Sequence, residues 1–526
     1  MRTILVAFVT LSFALISFSD DTQPTLTLHP ASSMVRLTGP TAVPLPPAAN
    51  EYTLDMACGE SEAFQVFVRR SPAEDAKPLE VSVSVSVPPR KAVPEGEPSI
   101  RMYQVFDVTY SGPADNPVFK LPVRNTGLIP DVCLPLQKGA VAKASGNQLT
   151  FLCDVTAPPN LFFDRAISFS FTLKFSSPGL ADALLRLTVV EHPVAIPATL
   201  PFKTAVTWNW GIEKYLGREL TPKERLAYLD FFLDYRFTPA SFFTRGLAFS
   251  PEEIKHIVER GGNVFQVFHI GGGGKRLLSD KDKEAAKPQL EECRKVLKDA
   301  GALQYACALI ADEPADDAAD TIRANAVWLK SVFPELKIWV ATRPRKELLD
   351  VVDIWDPITA HSTDYYAKHS FTQESYELAR SAPNKPEMWW FFSVEPYAPH
   401  PNCRIDDNLV DSRYIGWLSY LQGMNGFEYF WATDWEANTS LRDVRYPEKA
   451  SRWNLGLAGA GQLCYPGNDG LPIPSLRLIN LRDAMEDWAL FLAAGPAMKE
   501  QSPKDARSPE EPAKLRQAAF ITIERK

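Results

Sequence analysis

Two short runs in this sequence place carboxylates where an apolar strand gives way to a loop. The first is Asp312-Glu313-Pro314, which follows Cys307-Ala308-Leu309-Ile310-Ala311. The second is Glu395-Pro396, which follows Phe391-Phe392-Ser393-Val394. A carboxyl group at the rim of a dry interior gains proton affinity and can serve as a general acid. Acid-assisted cleavage of a glycosidic bond needs such a donor, together with a second carboxylate or an internal nucleophile. Glu313 paired with Glu395, and Glu313 beside Asp312, are the two arrangements on offer. The plainer reading of Asp312 and Glu313 is an acidic helix start, because Asp316, Asp317 and Asp320 follow. Glu395 reads equally as an ordinary loop residue.

Aromatic residues crowd the same strand ends. Trp208, Asn209 and Trp210 close one strand; Tyr365 and Tyr366 follow another; Trp389 and Trp390 lie on a third; Trp431, Asp434 and Trp435 end the last. Aromatic faces stack on sugar rings, so Trp208, Tyr365, Trp390 and Trp431 are candidate walls of a sugar pocket. Asn209, Asp406, Arg413 and Asp434 are candidate polar contacts. Alternation along a strand sends one of each adjacent pair away from the interior, so about half of these rings belong to packing. The seven His residues show no metal-ligand spacing, although His269 and His361 fall where they could face the site. Gly271 to Gly274 and Lys275 lack the phosphate-loop spacing and read as a flexible loop.

The elements that must carry these residues fall into two halves. From about Leu26 to Val190 the apolar period is two, as in Leu79-Glu80-Val81-Ser82-Val83-Ser84-Val85-Ser86-Val87, which predicts a β-sandwich over 20–195. The Pro-rich stretch His192 to Pro201 connects it to a region of alternating strands and helices. There Thr221-Pro222-Lys223-Glu224 and Ser250-Pro251-Glu252-Glu253 are capping boxes with Pro at the first helical position. Strand–helix units over 200–495 predict a (β/α)8 barrel, with a doubly wound sheet as the alternative. A barrel sets its active site at the C-terminal ends of its strands, where both carboxylate runs fall. Leu476 to Ala494 reads as an amphipathic closing helix. Residues 496–526 read as a charged tail with a short strand at Phe520 to Ile523.

Composition narrows the function. The chain has 526 residues, 45% hydrophobic and 23% charged, with net charge −8 and pI near 5.6. That balance fits an ordinary globular protein and offers no broad basic surface for nucleic acid or anionic membrane. Met1-Arg2, an apolar run to Ile16 and Ser17-Phe18-Ser19 predict a signal peptide over 1–19, cut after Ser19, and a secreted, periplasmic or extracellular protein. No later stretch reaches membrane-spanning length. The seven cysteines show no CxxC spacing; Cys133 and Cys153 could bridge neighbouring strands. Asn438-Thr439-Ser440 is a glycosylation sequon. No metal or redox cofactor is called for by acid/base hydrolysis.

The chain resembles glycoside hydrolase family 123 and its relatives. The residues that carry the resemblance are Asp312-Glu313-Pro314, Met388-Trp389-Trp390-Phe391, Asp406 to Trp417 and Gly426-Phe427-Glu428-Tyr429-Phe430-Trp431. The C-terminal runs Cys464-Tyr465-Pro466-Gly467, Pro472-Ile473-Pro474-Ser475-Leu476-Arg477-Leu478 and Leu481-Arg482-Asp483-Ala484-Met485-Glu486-Asp487 are the most specific. The resemblance implies a β-sandwich followed by a (β/α)8 barrel. It implies removal of β-linked N-acetylgalactosamine by substrate-assisted, retaining hydrolysis, with a glycan or glycoconjugate as partner. By that likeness Glu313 is the acid/base, Asp312 orients the 2-acetamido group, and Tyr365 contacts the acetamide. Strand eight departs from the expected aromatic run at Glu428 and at Ala432-Thr433-Asp434. Two other readings stand beside this one. One is a clan-A-like retaining glycosidase with Glu395 as nucleophile; the other is a non-catalytic carbohydrate-binding protein on the same scaffold.

Overall fold

A computed structural model describes residues 24–39, 42–71, 78–87, 97–110, 127–159, 163–209, 211–392, 394–435, 459–467, 469–501 and 508–524. The expected signal segment and the sequon at Asn438 lie outside the described residues.

The first ten strands are β1 (Thr25–Ser32), β2 (Glu51–Cys58), β3 (Ser61–Ser71), β4 (Leu79–Ser86), β5 (Ser99–Tyr110), β6 (Gly127–Pro135), β7 (Val141–Ala144), β8 (Gln148–Thr156), β9 (Ile167–Ser176) and β10 (Ala183–Ala195). They form two five-stranded sheets, ordered β1-β3-β8-β5-β6 and β2-β10-β9-β4-β7. Their facing sides share a core that includes Phe64, Val66, Phe151, Phe171, Phe175 and Leu187. The first sheet is covered on both faces. Ala63, Tyr103, Val132 and Leu152 point the other way, into the core of the C-terminal half. That is why β3 is buried almost throughout rather than alternating between core and water. Cys133 and Cys153 are not bridged: β5 runs between β6 and β8, and every described cysteine is free.

The next strands are β11 (Lys203–Thr207), β12 (Thr238–Ala240), β13 (Phe265–His269), β14 (Ala306–Asp312), β15 (Lys337–Ala341), β16 (Ile354–Trp355), β17 (Glu387–Met388) and β18 (Gly426–Tyr429). They pair in parallel as β12-β11-β18 and β13-β14-β15-β16-β17, and a parallel bridge between Phe391 and Glu428 links the two arcs. Helices separate them, including the two predicted from capping boxes, Pro222–Asp234 and Pro251–Glu259, both with the box formed. Side chains facing inward stack in levels. Glu387 at the base holds Lys203 and Lys337. Above it lie Ala205, Cys307, Trp339 and Trp389. Gly426 is needed here, since a Cβ would meet the Trp389 ring at 2.7 Å. β19 (Cys464–Pro466) and β20 (Pro472–Pro474) form a short antiparallel pair.

The helix Leu476–Ala494 is not amphipathic. It is buried nearly all round, between the first sheet and the second half, and it carries charge into that interior. Arg477 binds Asp131 of β6, and Arg482 binds Asp154 of β8 at 3.0 Å. Asp487 accepts from Arg413, which also grips Glu62 of β3 in a bidentate pair at 2.7 and 2.8 Å. Glu486 accepts from the Ser61 backbone N–H and from Arg236. The expected strand at Phe520 to Ile523 is instead part of the helix Glu511–Glu524. Its Leu515, Ala519 and Phe520 recur at helical spacing and are buried, and Arg516 reaches both Glu60 and Asp487.

Candidate active site

Asp312 ends β14, Glu313 opens the turn after it, and a bulge decides where they point. Cys307 and Leu309 face the interior, while Ala306, Ala308 and Ile310 pack among the helices. The pairing with β15 then slips between Leu309 and Ala311, so Ala311 joins Ile310 on the outer side. Strict alternation would have sent Asp312 outward; the extra residue turns it inward. β13 slips the same way between Gln266 and Phe268, and His269 Nδ1 donates to the Leu309 carbonyl at 3.1 Å.

Glu313 sits in the left-handed region at φ 45°, which is strained for a residue with a Cβ. Its surroundings hold it there. Its N–H donates to Ala341 O at 3.1 Å, and Ala315 N–H donates to Gly273 O at 3.0 Å. Arg345 clamps the turn by donating to Pro314 O at 2.7 Å and Ala315 O at 2.9 Å. The glycine run is therefore a support for the carboxylate turn, with Gly271 to Gly274 all at positive φ.

The two carboxylates open into a cavity of about 300 Å³, which Phe243, Tyr366, Phe391, Glu395, Glu428 and Trp431 help to line. Asp312 is exposed to the cavity, but the protein packed around that opening desolvates its carboxyl and raises its pKa to about 6. Glu313 is raised to about 7, first by desolvation and then by the Asp312 charge. The Tyr365 hydroxyl donates to Glu313 Oε2 at 3.2 Å and partly offsets the rise. Of the two, Glu313 keeps its proton to the higher pH.

Glu395 also lines the cavity, but its oxygens are occupied. The backbone N–H groups of Ser362 and Thr363 donate to it at 2.9 and 3.3 Å, and the Thr363 hydroxyl donates as well. It thereby anchors the segment that presents Tyr365 and Tyr366. Two further carboxyl groups lie deeper: Glu428 on β18 and Asp356 just after β16, both buried.

The other sequence candidates divide. Trp431 lines the cavity and Tyr365 stands at its mouth, 58% exposed. Trp208 and Trp390 do not reach it. Both point outward: Trp208 is fully buried with Arg225 over its ring at 5.1 Å, and Trp390 donates to Ser419 at 3.0 Å behind the strand. Arg413 and Asp406 are likewise buried, Arg413 between Glu62 and Asp487 and Asp406 near Arg404. Asn209 lines a neighbouring hollow of about 380 Å³ that shares the Phe243 wall. Asp434 is half-buried beside Gly461 and is not among the cavity's lining residues. His361 is exposed. Sequence reasoning does not find Phe243, Arg345, Asp356 or Glu428 as site residues. Glu428 alone carries a signal, as a charge on an otherwise aromatic strand.

Among the described residues no group of three or more His, Cys, Asp or Glu could hold a metal ion. No helix among them is long and apolar enough to cross a membrane.

Residues 248–493 match the family model described as Glycoside hydrolase 123, catalytic domain. A solved family 123 glycoside hydrolase from Clostridium perfringens, described in terms of glycolipid glycan hydrolysis, is similar in fold with a TM-score of 0.62. The identity is 12%, and the match covers 95% of this chain and 98% of that one. A Bacteroides ovatus xyloglucanase of family 5 matches over 83% of this chain and 98% of its own at 10% identity, with a TM-score of 0.27. No curated protein matches the sequence.

Proposed function

We propose that this chain, a glycosidase whose residues 248–493 match the glycoside hydrolase 123 catalytic domain, removes a terminal β-linked N-acetylhexosamine, N-acetylgalactosamine first among them. The observation that carries the reading is the pair of adjacent carboxyl groups with separated proton affinities in one cavity. Two neighbours in sequence at one strand end do not flank a sugar ring, so they suit a mechanism whose nucleophile lies in the substrate. Glu313, protonated, gives its proton to the glycosidic oxygen as the C1–O bond breaks. The acetamido carbonyl oxygen bonds to C1 from the opposite face. Asp312, ionised, accepts from the acetamido N–H and balances the positive charge of the oxazolinium. Water then attacks C1, the acetamido oxygen leaves, and the water's proton returns to Glu313. Two inversions give net retention.

The cavity volume suits one sugar residue rather than a chain, which favours exo action. The same reading takes the two arcs of parallel strands as a (β/α)8 barrel and 20–195 as a sandwich domain. It takes 1–19 as a signal peptide that exports the chain. The test is turnover of aryl β-glycosides with and without the 2-acetamido group, with product stereochemistry followed by NMR. Cleavage confined to acetamido sugars, with retention, supports the proposal. Equal rates on plain galactosides or glucosides overturn the substrate-assisted step.

A further inference from the structure

β18 alternates cleanly. Phe427 and Tyr429 pack outward among the helices, while Gly426 and Glu428 face in. Glu428 is 6% exposed and lines the cavity, yet its Oε2 has no hydrogen-bond partner. Asp356 is fully buried and is not among the cavity's lining residues, but it too has an unmet oxygen. Trp339 donates to its Oδ2 at 3.0 Å, and its Oδ1 has no partner. Buried polar atoms are almost always satisfied, so an unmet carboxyl oxygen on a residue of the cavity wall calls for a partner. No Lys or Arg lines the cavity among the described residues. The protein itself therefore offers Glu428 no counter-charge there.

Burial, and then the Asp356 charge, push the Glu428 carboxyl well above its ordinary range. A protonated carboxyl has one donor and spare acceptor capacity, the same pattern as a sugar hydroxyl. A carboxylated or sulfated sugar would bring a negative charge into a cavity already lined with acids. A neutral sugar would not. Glu428 is also more buried than Asp312, which opens into the cavity, so it belongs to the inner wall. In the function proposed above the anomeric carbon sits at Glu313, and the far edge of the ring turns toward that wall.

We propose that Glu428 is a specificity-determining residue that hydrogen-bonds one hydroxyl on the ring edge across from the anomeric carbon, at C3, C4 or C6, with Asp356 as a positioning residue beside it. The inference rests on the acetamido-sugar reading. The experiment measures kcat/KM for wild type, Glu428→Gln and Glu428→Leu on aryl β-N-acetylhexosaminides and on their 3-, 4- and 6-deoxy analogues. On the complete sugar Glu428→Leu should lose about 10- to 100-fold, and Glu428→Gln less, because the amide still donates and accepts. On one deoxy analogue wild type should lose a similar factor and Glu428→Leu nothing further. Equal losses on every analogue would mean a structural role and overturn the inference, while leaving the glycosidase reading intact. Absence of wild-type turnover on any acetamido sugar would overturn the substrate reading and this inference with it. Thermal melting separates misfolding from lost contact: Glu428→Leu removes an unmet buried carboxyl and should melt at or above the wild-type temperature.

Discussion

The Tyr365 hydroxyl reaches Glu313 Oε2 at 3.2 Å from a segment that Glu395 fastens in place. The acid's environment is thus set by two loops at once: its own strained turn, and a tyrosine held by a third carboxylate. This coupling shapes what each carboxylate should do when changed.

The pH profile should be a narrow bell. Asp312 must be ionised, so kcat/KM should rise through about pH 6; Glu313 must be protonated, so it should fall through about pH 7. In Asp312→Asn the charge that helps raise Glu313 is gone, and the residual activity should lose its alkaline limb at a lower pH. A profile flat across this range contradicts the assignment.

The same two groups should cost stability, in a window the signs define. Both folded pKa values lie above the ordinary carboxylate values of about 4. The folded chain therefore holds protons that the unfolded chain has released, and stability falls as pH rises from about 4 to about 7. Glu313→Gln and Asp312→Asn should each raise the melting temperature by a few degrees in mild alkali and by nothing in acid. Glu313→Gln should also lower kcat by about 10²- to 10⁴-fold on substrates with poor leaving groups.

Glu395→Gln separates an anchor from a nucleophile. As an anchor of the Ser362–Thr363 backbone, its amide should still accept hydrogen bonds, and kcat should drop by roughly tenfold. As a nucleophile its loss would abolish turnover, and azide would restore it with an inverted glycosyl azide product. We expect neither abolition nor azide rescue.

Trp208 and Trp431 should differ in kind. Trp208→Ala empties a fully buried site and should cost about 3–5 kcal/mol of stability without changing KM. Trp431→Ala should raise KM about tenfold with little change in melting. Urea melts and steady-state kinetics on both variants read this directly.

The sandwich should not stand alone. Expressed without the rest of the chain, Glu60, Glu62, Asp131 and Asp154 lose Arg516, Arg413, Arg477 and Arg482. Aggregation or a molten circular-dichroism signature is the expected result for residues 20–195. In the whole chain Arg413→Met should cost about 3–5 kcal/mol, because it leaves Glu62 and Asp487 buried and unpaired.

The strand periods, the capping boxes and the Asp312-Glu313-Pro314 turn were legible because each is a local pattern. The outward turn of Trp208 and Trp390 was not, since alternation says that one of two neighbours leaves the interior but not which. The Asp312 bulge is invisible in sequence: nothing in Leu309-Ile310-Ala311 marks an extra residue. The Leu476–Ala494 helix misleads because its charges look like a wet face, when their partners lie on other elements, Asp131 and Asp154 more than 300 positions earlier. The Glu511–Glu524 helix was missed for the same reason: its few apolar residues match a surface built by β2, β10 and the Leu476–Ala494 helix.

The Arg516–Glu60 contact spans 456 positions of sequence. In a chain made from one end to the other, Glu60 emerges early and waits, carrying a charge meant for burial, until Arg516 has been synthesised. The interior joint between the two halves therefore cannot close around Glu60 until Arg516 has been made.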